Sequence, residues 1–371
     1  MRLTPGRLAG RLIACALTAL LLAACATAPS PEDFQQRIDR VERELQRLER
    51  RGFAGQALIA SGDEVLLLSG YGTMAIDDSR PIGEDAVMPL ASITKPLAAS
   101  AIFRLAADDK LSLDDPIGLH LDTLRSPWAD IRVTHLLTQT AGLPAEIMRH
   151  RDPIKHRFER IERDAFIDRI QRSEPDRPGR RFRYSNVNYG LIAAIIESVS
   201  GQPWENYLRD QILLPAGVTE IGVHKAGWQT GELVRARTPH EDLGHWLEHA
   251  HLDDGMGYNM RAVGDMLARP AGILDWWRAV RRGTWLPEPW MSCWLEPQVR
   301  EPDGLQYGYG LQFRHGRWGP VIGHTGKEGG FTADMSWHMG NDLLIFVASA
   351  HTEFRADKIS RTLGRRLGVE Y

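Results

Sequence analysis

Three short clusters in the 371-residue sequence carry side chains able to do covalent chemistry. The first is Ser92-Ile93-Thr94-Lys95, opening a helix-like stretch with Pro96 directly behind it. On a helix, residues three apart share a face, so the Lys95 amine can reach the Ser92 hydroxyl. A serine hydroxyl is a weak nucleophile until a neighbour takes its proton, and a lysine of lowered pKa can take it. Proline suits the first helical turn, whose free N–H groups favour nearby negative charge. The second cluster is Tyr184-Ser185-Asn186, just ahead of another helix-like run. A phenol can carry a proton between nucleophile and leaving group, and an amide can hold both an amine and a substrate carbonyl. The third is His324-Thr325-Gly326, expected at the end of a strand. Glycine there admits a ligand close to the backbone, and a strand edge can pair with a peptide-like substrate. Each cluster alone has a bland reading too: S-x-x-K arises by chance, Tyr184 and Asn186 suit a core edge and a helix cap, and the last triplet suits a plain strand terminus.

Other constellations compete. His245-Trp246-Leu247-Glu248-His249 fits H-x-x-E-H, a zinc-protease pattern to which His251, Asp253 or Asp254 could add a ligand. Together with His240 the same residues also read as a His-rich solvated surface, which is the expectation adopted here. No G-x-S-x-G occurs, so the α/β-hydrolase nucleophile turn is missing. Trp276, Trp277, Trp285, Trp290 and Trp294 could line an apolar pocket or pack a core. Arg177, Arg180, Arg181 and Arg183 read as a solvated loop or a contact for an anionic polymer. No metal and no cofactor is expected.

The elements that must position these residues follow from periodicity. Phe34, Ile38, Val41, Leu45 and Leu48 form one apolar stripe of an amphipathic helix ending near Gly52. Residues 56–60 and 65–69 read as strands joined by Ser61-Gly62-Asp63. Residues 96–107, 165–171, 189–199 and 274–280 carry helical periods between Pro/Gly-rich connections. Residues 308–313, 331–338 and 343–349 read as strands, with Gly340-Asn341-Asp342 as a hairpin turn, and 355–367 as a final helix. The expectation is an α/β (α+β) fold in which both termini build a sheet, about 32–105 and 300–371, around an inserted, mainly helical part, about 106–299.

Composition fits a globular protein: 43% apolar, 25% charged, formal charge −3. Arginines are interspersed with acids, so no nucleic-acid partner is expected. Residues 1–24 read as an export leader, with Arg2, Arg7 and Arg11 ahead of an apolar run too short to span a bilayer. The run ends Leu22-Ala23-Ala24-Cys25, which resembles a bacterial lipobox; Cys25 would carry lipid, and residues 25–31 would form a tether to the envelope, on the periplasmic face of an outer membrane. Only Cys293 is then left, so no internal disulfide is expected.

Order and spacing join the three clusters. S-x-x-K, then Y-x-N some 90 residues on, then a basic-Thr-Gly triplet near the C-terminus resembles the penicillin-recognising serine hydrolases: class C β-lactamases, D-alanyl-D-alanine carboxypeptidases and related esterases. The likeness runs from Phe34 almost to the end, carried by residues 90–95, 110–116, 135–144 and 184–201. The resemblance implies a β-lactamase/transpeptidase-like fold with an antiparallel sheet, and it implies roles. Ser92 would be acylated, Lys95 and Tyr184 would share the proton work in an order left open, and Asn186 would orient substrate and Lys95. The backbone N–H groups of Ser92 and Lys327 would form an oxyanion hole, while His324, Thr325 and Gly326 would line an edge strand beside the substrate. His324 stands where many β-lactamases carry Lys, and a neutral imidazole attracts a carboxylate less than an ammonium does. A peptide carboxypeptidase and a small-ester hydrolase therefore rank ahead of a β-lactamase. A non-catalytic, cell-wall-binding lipoprotein is the alternative of another class.

Overall fold

The computed structural model describes residues 31–145, 160–223, 226–245, 248 and 255–369. By its contacts the chain divides into residues 1–37 and residues 38–371. The leader and Cys25 lie outside the described residues. The described part of the first unit is the opening of helix α1 (Pro31–Glu49). In the second unit the expected stripe points inward, with Ile38, Val41, Leu45 and Leu48 buried. Glu44 is buried among them and is paired with Arg47 and with Arg366, 3.2 Å away.

The sheet is built from both ends of the chain. Strands β1 (Gly55–Ser61) and β2 (Glu64–Tyr71) form the expected hairpin. Short strands β3 (Met88–Pro89), β4 (Ile221–Val223) and β7 (Met266–Ala268) make a small separate sheet, and β5 (Ala236–Arg237) pairs β6 (Asp242–Gly244). The C-terminal part adds β8 (Val299–Arg300), β9 (Gln306–Tyr307), β10 (Gln312–Gly316), β11 (Gly319–Glu328), β12 (Phe331–His338) and β13 (Leu343–Ser349). The main sheet runs β2-β1-β13-β12-β11-β10-β9-β8, antiparallel throughout. Gly55 faces Ser349 and Ser61 faces Leu343, so the N-terminal hairpin closes directly on the last strand. Those two strands are buried along nearly their whole length, which explains their unbroken small and apolar runs.

Between the sheet segments lie helices α2 (Thr94–Ala107), α3 (Val133–Leu137), α4 (Arg163–Ile170), α5 (Asn186–Ser200), α6 (Trp204–Leu208), α7 (Pro270–Arg282) and α8 (Trp290–Trp294); α9 (Ala356–Leu367) packs on β12 and β13. Helices α2 and α5 are apolar all round and pack on each other in the core. Four buried alanines of α2 (Ala98, Ala99, Ala101, Ala106) keep its packed surface small. Helix α7 starts with Pro270 at its first turn and stops at Gly283, whose φ of +62° suits glycine.

Two expectations need correction. Residues 308–313 are not one strand: β9 and β10 are separated by a turn in which Gly310 has φ +77°. A β-carbon on Gly310 would sit 2.8 Å from the Lys95 carbonyl oxygen and 2.9 Å from the Tyr189 hydroxyl, so close packing on α2 and α5 breaks the strand there. The His324 triplet also does not end its strand, because β11 continues to Glu328.

The tryptophans are core. Trp276, Trp277, Trp285 and Trp294 are buried; Trp276 stacks on Trp285 at 5.3 Å and Trp294 meets Trp285 edge-on. The Trp294 indole N–H donates to the Tyr309 carbonyl at 3.1 Å. Trp290 is partly buried and meets Phe103 edge-on. Trp294→Ala is expected to cost about 3–5 kcal/mol of stability by opening a cavity in this cluster. Urea unfolding of the variant checks it, and an unchanged midpoint would argue against a packing role.

Candidate active site

Ser92 lies in a tight turn, Ala91–Ile93, that runs straight into α2. Ala91 has φ +45°, a left-handed conformation that costs a residue with a β-carbon roughly 1–2 kcal/mol. The turn is held from two sides. The Leu90 N–H donates to the Met266 carbonyl at 2.9 Å. Opposite, β11 presses on it at Gly326, where a β-carbon would lie 2.3 Å from the Leu90 oxygen and 3.1 Å from the Ser92 nitrogen. The glycine of the third cluster thus admits the protein's own backbone.

Lys95 is fully buried, and its ammonium donates to Ser92 Oγ at 2.9 Å and to the Val263 carbonyl at 2.9 Å. Its Nζ also lies 5.1 Å from the ring centre of Tyr184 and 5.6 Å from that of Tyr189. Tyr184 borders the cavity, and burial pushes its phenol above its ordinary pKa, while a hydrogen bond with Ser92 pulls the other way. The first two clusters therefore lie together, with Lys95 between the Ser92 hydroxyl and the Tyr184 ring.

What places Tyr184 and Asn186 is a residue the sequence reading assigned no role. Gln139, itself at φ +59°, accepts at Oε1 from the Ser185 N–H (2.9 Å) and from Asn188 Nδ2 (2.5 Å), while its carbonyl accepts from the Arg183 N–H (2.8 Å). Ser185 turns inward and donates to the Pro144 carbonyl at 2.6 Å. The only signal for Gln139 lay in the stretch 135–144, noted for its family likeness alone. Asn186 opens α5, its N–H bonded to the Ala145 carbonyl, and its side-chain oxygen is buried without a partner. Val263, a carbonyl acceptor for Lys95, had no sequence signal, because a backbone acceptor leaves none.

Ser92, Tyr184, Asn186 and Val263 line a cavity of about 460 Å³ with residues 324–329 along its other side and Arg355 and Asp357 at its margin. Here a further correction applies. Strand β11 is interior to the sheet, between β12 and β10. However, β10 reaches only Gly323, so residues 324–328 pair with β12 alone and present a local edge. Thr325 is partly exposed and Lys327 exposed on this edge.

His324 itself is almost fully buried, although it borders the cavity. Its Nδ1 donates to the Thr325 carbonyl at 2.6 Å, which leaves Nε2 to accept from the Tyr307 hydroxyl at 3.2 Å. Burial, with the Lys95 charge adding, drives its pKa down to about 3. The ring is therefore neutral at any ordinary pH.

The remaining candidates lie elsewhere. His245 is buried rather than solvated, correcting the expectation for that segment, and Glu248 beside it is held by Arg235. His249, His251, Asp253 and Asp254 lie outside the described residues, as does Trp246. No group of three His, Cys, Asp or Glu that could hold a metal occurs among the described residues. Arg177, Arg180 and Arg181 border a separate depression with Asp176.

The family profile for Beta-lactamase matches residues 38–369. Among curated proteins, Protein flp of Staphylococcus aureus (strain N315) is 29% identical over 224 residues, 58% of this chain and 42% of flp. The chain thus spans only part of the curated relatives it matches, 42% to 57% of their length in two cases. A penicillin-binding protein homologue from Pyrococcus abyssi superposes with TM-score 0.74 at 21% identity, covering 90% of this chain and 77% of that one. D-amino acid amidase from Ochrobactrum anthropi SV3 superposes with TM-score 0.73 at 21% identity, covering 89% and 97%.

The buried histidines set a pH signature. Burial drives the pKa of His338 down to about 4, as it does His324 to about 3, whereas both titrate near 6.5 when unfolded. The unfolded chain then binds more protons at these two sites below that value, so the contribution of each ring is full above about pH 6.5 and falls as the pH drops towards its folded pKa, by up to about 1.4 kcal/mol per unit. Burial raises Asp265 to about 8 and Glu301 to about 7, which act in the opposite sense over the same range, so the His324 share is read as a difference: urea unfolding at pH 7, 6 and 5 is expected to show His324→Gln gaining on the wild type as the pH falls.

Proposed function

Because the chain belongs to the beta-lactamase family, we propose that it is a serine hydrolase that cleaves an amide or ester bond through an acyl-enzyme on Ser92. The observation that carries this reading is the 2.9 Å bond from a fully buried Lys95 to the Ser92 hydroxyl, with the Tyr184 ring 5.1 Å from the Lys95 nitrogen. Lys95 becomes the base once its resting ammonium has released a proton to solvent, and the amine so formed takes the Ser92 proton as Oγ attacks the carbonyl carbon. Tyr184 is held as a phenol by burial, which suits it to giving a proton to the departing nitrogen or oxygen rather than taking one. It recovers that proton from Lys95, so the first half-reaction leaves both groups as they began. Water then attacks the ester, passes its proton back through the same pair, and frees Ser92.

Negative charge on the carbonyl oxygen needs donors aimed where it develops. The close approach of β11 at Gly326 puts the Ser92 and Lys327 backbones side by side, which supports their N–H groups as that pair. Asn186 lines the cavity, where its amide can address a substrate, and the local edge at residues 324–328 offers backbone groups to an extended, peptide-like substrate. The D-amino acid amidase and penicillin-binding protein homologue among the structural neighbours favour a D-amino-acid amide or D-alanyl-D-alanine-type peptide over a small ester. The neutral His324 ring argues against an efficient β-lactamase. The proposed setting is the cell envelope, reached through the leader and a lipid on Cys25.

Incubation with benzylpenicillin, with a D-amino-acid p-nitroanilide and with p-nitrophenyl acetate, each followed by intact mass and product release, tests the reading. An adduct mapping to Ser92, or turnover of the anilide, is expected. Ser92→Ala should abolish both, and Lys95→Ala should slow them by about 10²–10⁴-fold. Hydrolysis that survives Ser92→Ala would overturn the mechanism, and a wild type inert to all three would leave the non-catalytic binding protein standing.

A further inference from the structure

We propose that Asp265 is a positioning residue for the reaction: it fixes the loop whose Val263 carbonyl accepts from Lys95, and so sets how Lys95 meets Ser92. The inference rests on the reading of Lys95 as the base. Asp265 does not touch the cavity; it is 1% exposed and lies behind the site, between the loop and helix α6. Its Oδ1 accepts from the Ala262 N–H at 3.1 Å, and its Oδ2 accepts from the Trp204 indole N–H at 3.2 Å.

Ala262 needs such a hold. It has φ +58°, a conformation most residues with a β-carbon avoid. The next two residues do the work at the site. Val263 gives its carbonyl to Lys95 at 2.9 Å, and Gly264 runs against Ala91, where an added β-carbon would stand 3.3 Å from the Ala91 backbone. On the far side of Asp265, the Met266 N–H donates to Thr94 Oγ1 at 3.3 Å, and the Met266 carbonyl accepts from Leu90. The carboxylate therefore fastens the front of a loop whose back is fastened to the Ser92 turn.

A packing role alone would be met more cheaply by an apolar residue, since burying a polar carboxyl group is costly. The cost is visible: burial, then the charge of Glu205, pushes the Asp265 pKa up to about 8, with Arg261 and the Trp204 N–H pulling against it. Arg261 in turn is held by Glu197, which also accepts from the Tyr258 hydroxyl. Facing Lys95 are the Ser92 hydroxyl, the Tyr184 and Tyr189 rings, the neutral His324 and the Val263 carbonyl. Of these, Asp265 fixes the last.

The test is the rate constant for acylation of Ser92 in the full chain, by p-nitrophenyl acetate and by benzylpenicillin, from pH 5 to 10, with melting temperature measured alongside. Asp265→Ala is expected to slow acylation about 10- to 100-fold, as a small misplacement of a catalytic group does. It should also move the acid limb of the profile to lower pH, because an ammonium that loses an acceptor gives up its proton more readily. Asp265→Asn keeps an oxygen for Ala262 but sets an N–H against the Trp204 indole, and Trp204→Phe removes that donor; both should show the same shift in smaller measure. If Asp265→Ala does not fold, these two decide. A lower melting temperature with an unchanged rate per active site and an unmoved limb would mean that Asp265 only packs. A wild type that is never acylated at Ser92 would overturn the functional reading, and this assignment with it.

Discussion

Burying one ammonium organises this protein. Removing a lysine's charge from water costs several kcal/mol unless other groups replace its hydration. Lys95 is fully enclosed, and its surroundings are those replacements: the Ser92 hydroxyl, the Val263 carbonyl and the faces of two tyrosine rings. They come from three stretches of chain, the Ser92 turn, residues 184–189 and the loop at Val263, so the cation is satisfied only when α2, α5 and that loop are assembled around it. The same enclosure explains His324. Lys95 is near enough to depress its pKa, and a second buried cation there would repel the first. The Tyr307 hydroxyl and the Thr325 carbonyl fix the ring as a neutral link between β9 and β11.

The scaffold meets this demand with backbone more than with side chains. The Ser92 turn is clamped between Gly326 of β11 and the Met266 carbonyl. The Tyr184 loop hangs from Gln139 by three hydrogen bonds, two to its amide oxygen and one to its carbonyl. Three residues at these joints, Ala91, Gln139 and Ala262, sit at positive φ without being glycine. Such conformations persist only where surrounding structure over-determines them, and they gather at functional sites. Here Ala91 precedes Ser92, Gln139 holds the Tyr184 loop, and Ala262 precedes the Val263 carbonyl that accepts from Lys95.

The sequence was legible where chemistry or periodicity leaves a mark in side chains. The Ser92–Lys95 spacing, the α1 stripe from Ile38 to Leu48 and the β1–β2 hairpin could all be read directly, and the spacing of the three clusters located the site. Legibility failed at backbone. Val263 acts through its carbonyl, Gly310 breaks a strand because α2 and α5 crowd it, and Gly326 is needed by the protein rather than by a ligand. No local pattern encodes contacts between residues that are 170 or 230 positions apart. The tryptophans show the converse: an aromatic run is informative about burial but mute on what is buried, and here it is core.

The partial pairing of β11 joins these points. A fully paired interior strand could not present backbone groups to a substrate, and a true edge strand could not be pressed so firmly against the Ser92 turn. β11 avoids the conflict by being both in succession. Through Gly323 it is paired on two sides, and beyond it on one. The change happens because the Gly308–Leu311 turn leaves the sheet to pack on Lys95 and Tyr189. The contact that buries the lysine's own helix thus also uncovers the strand beside Ser92, so the enclosure of the base and the opening of the substrate edge have one structural cause.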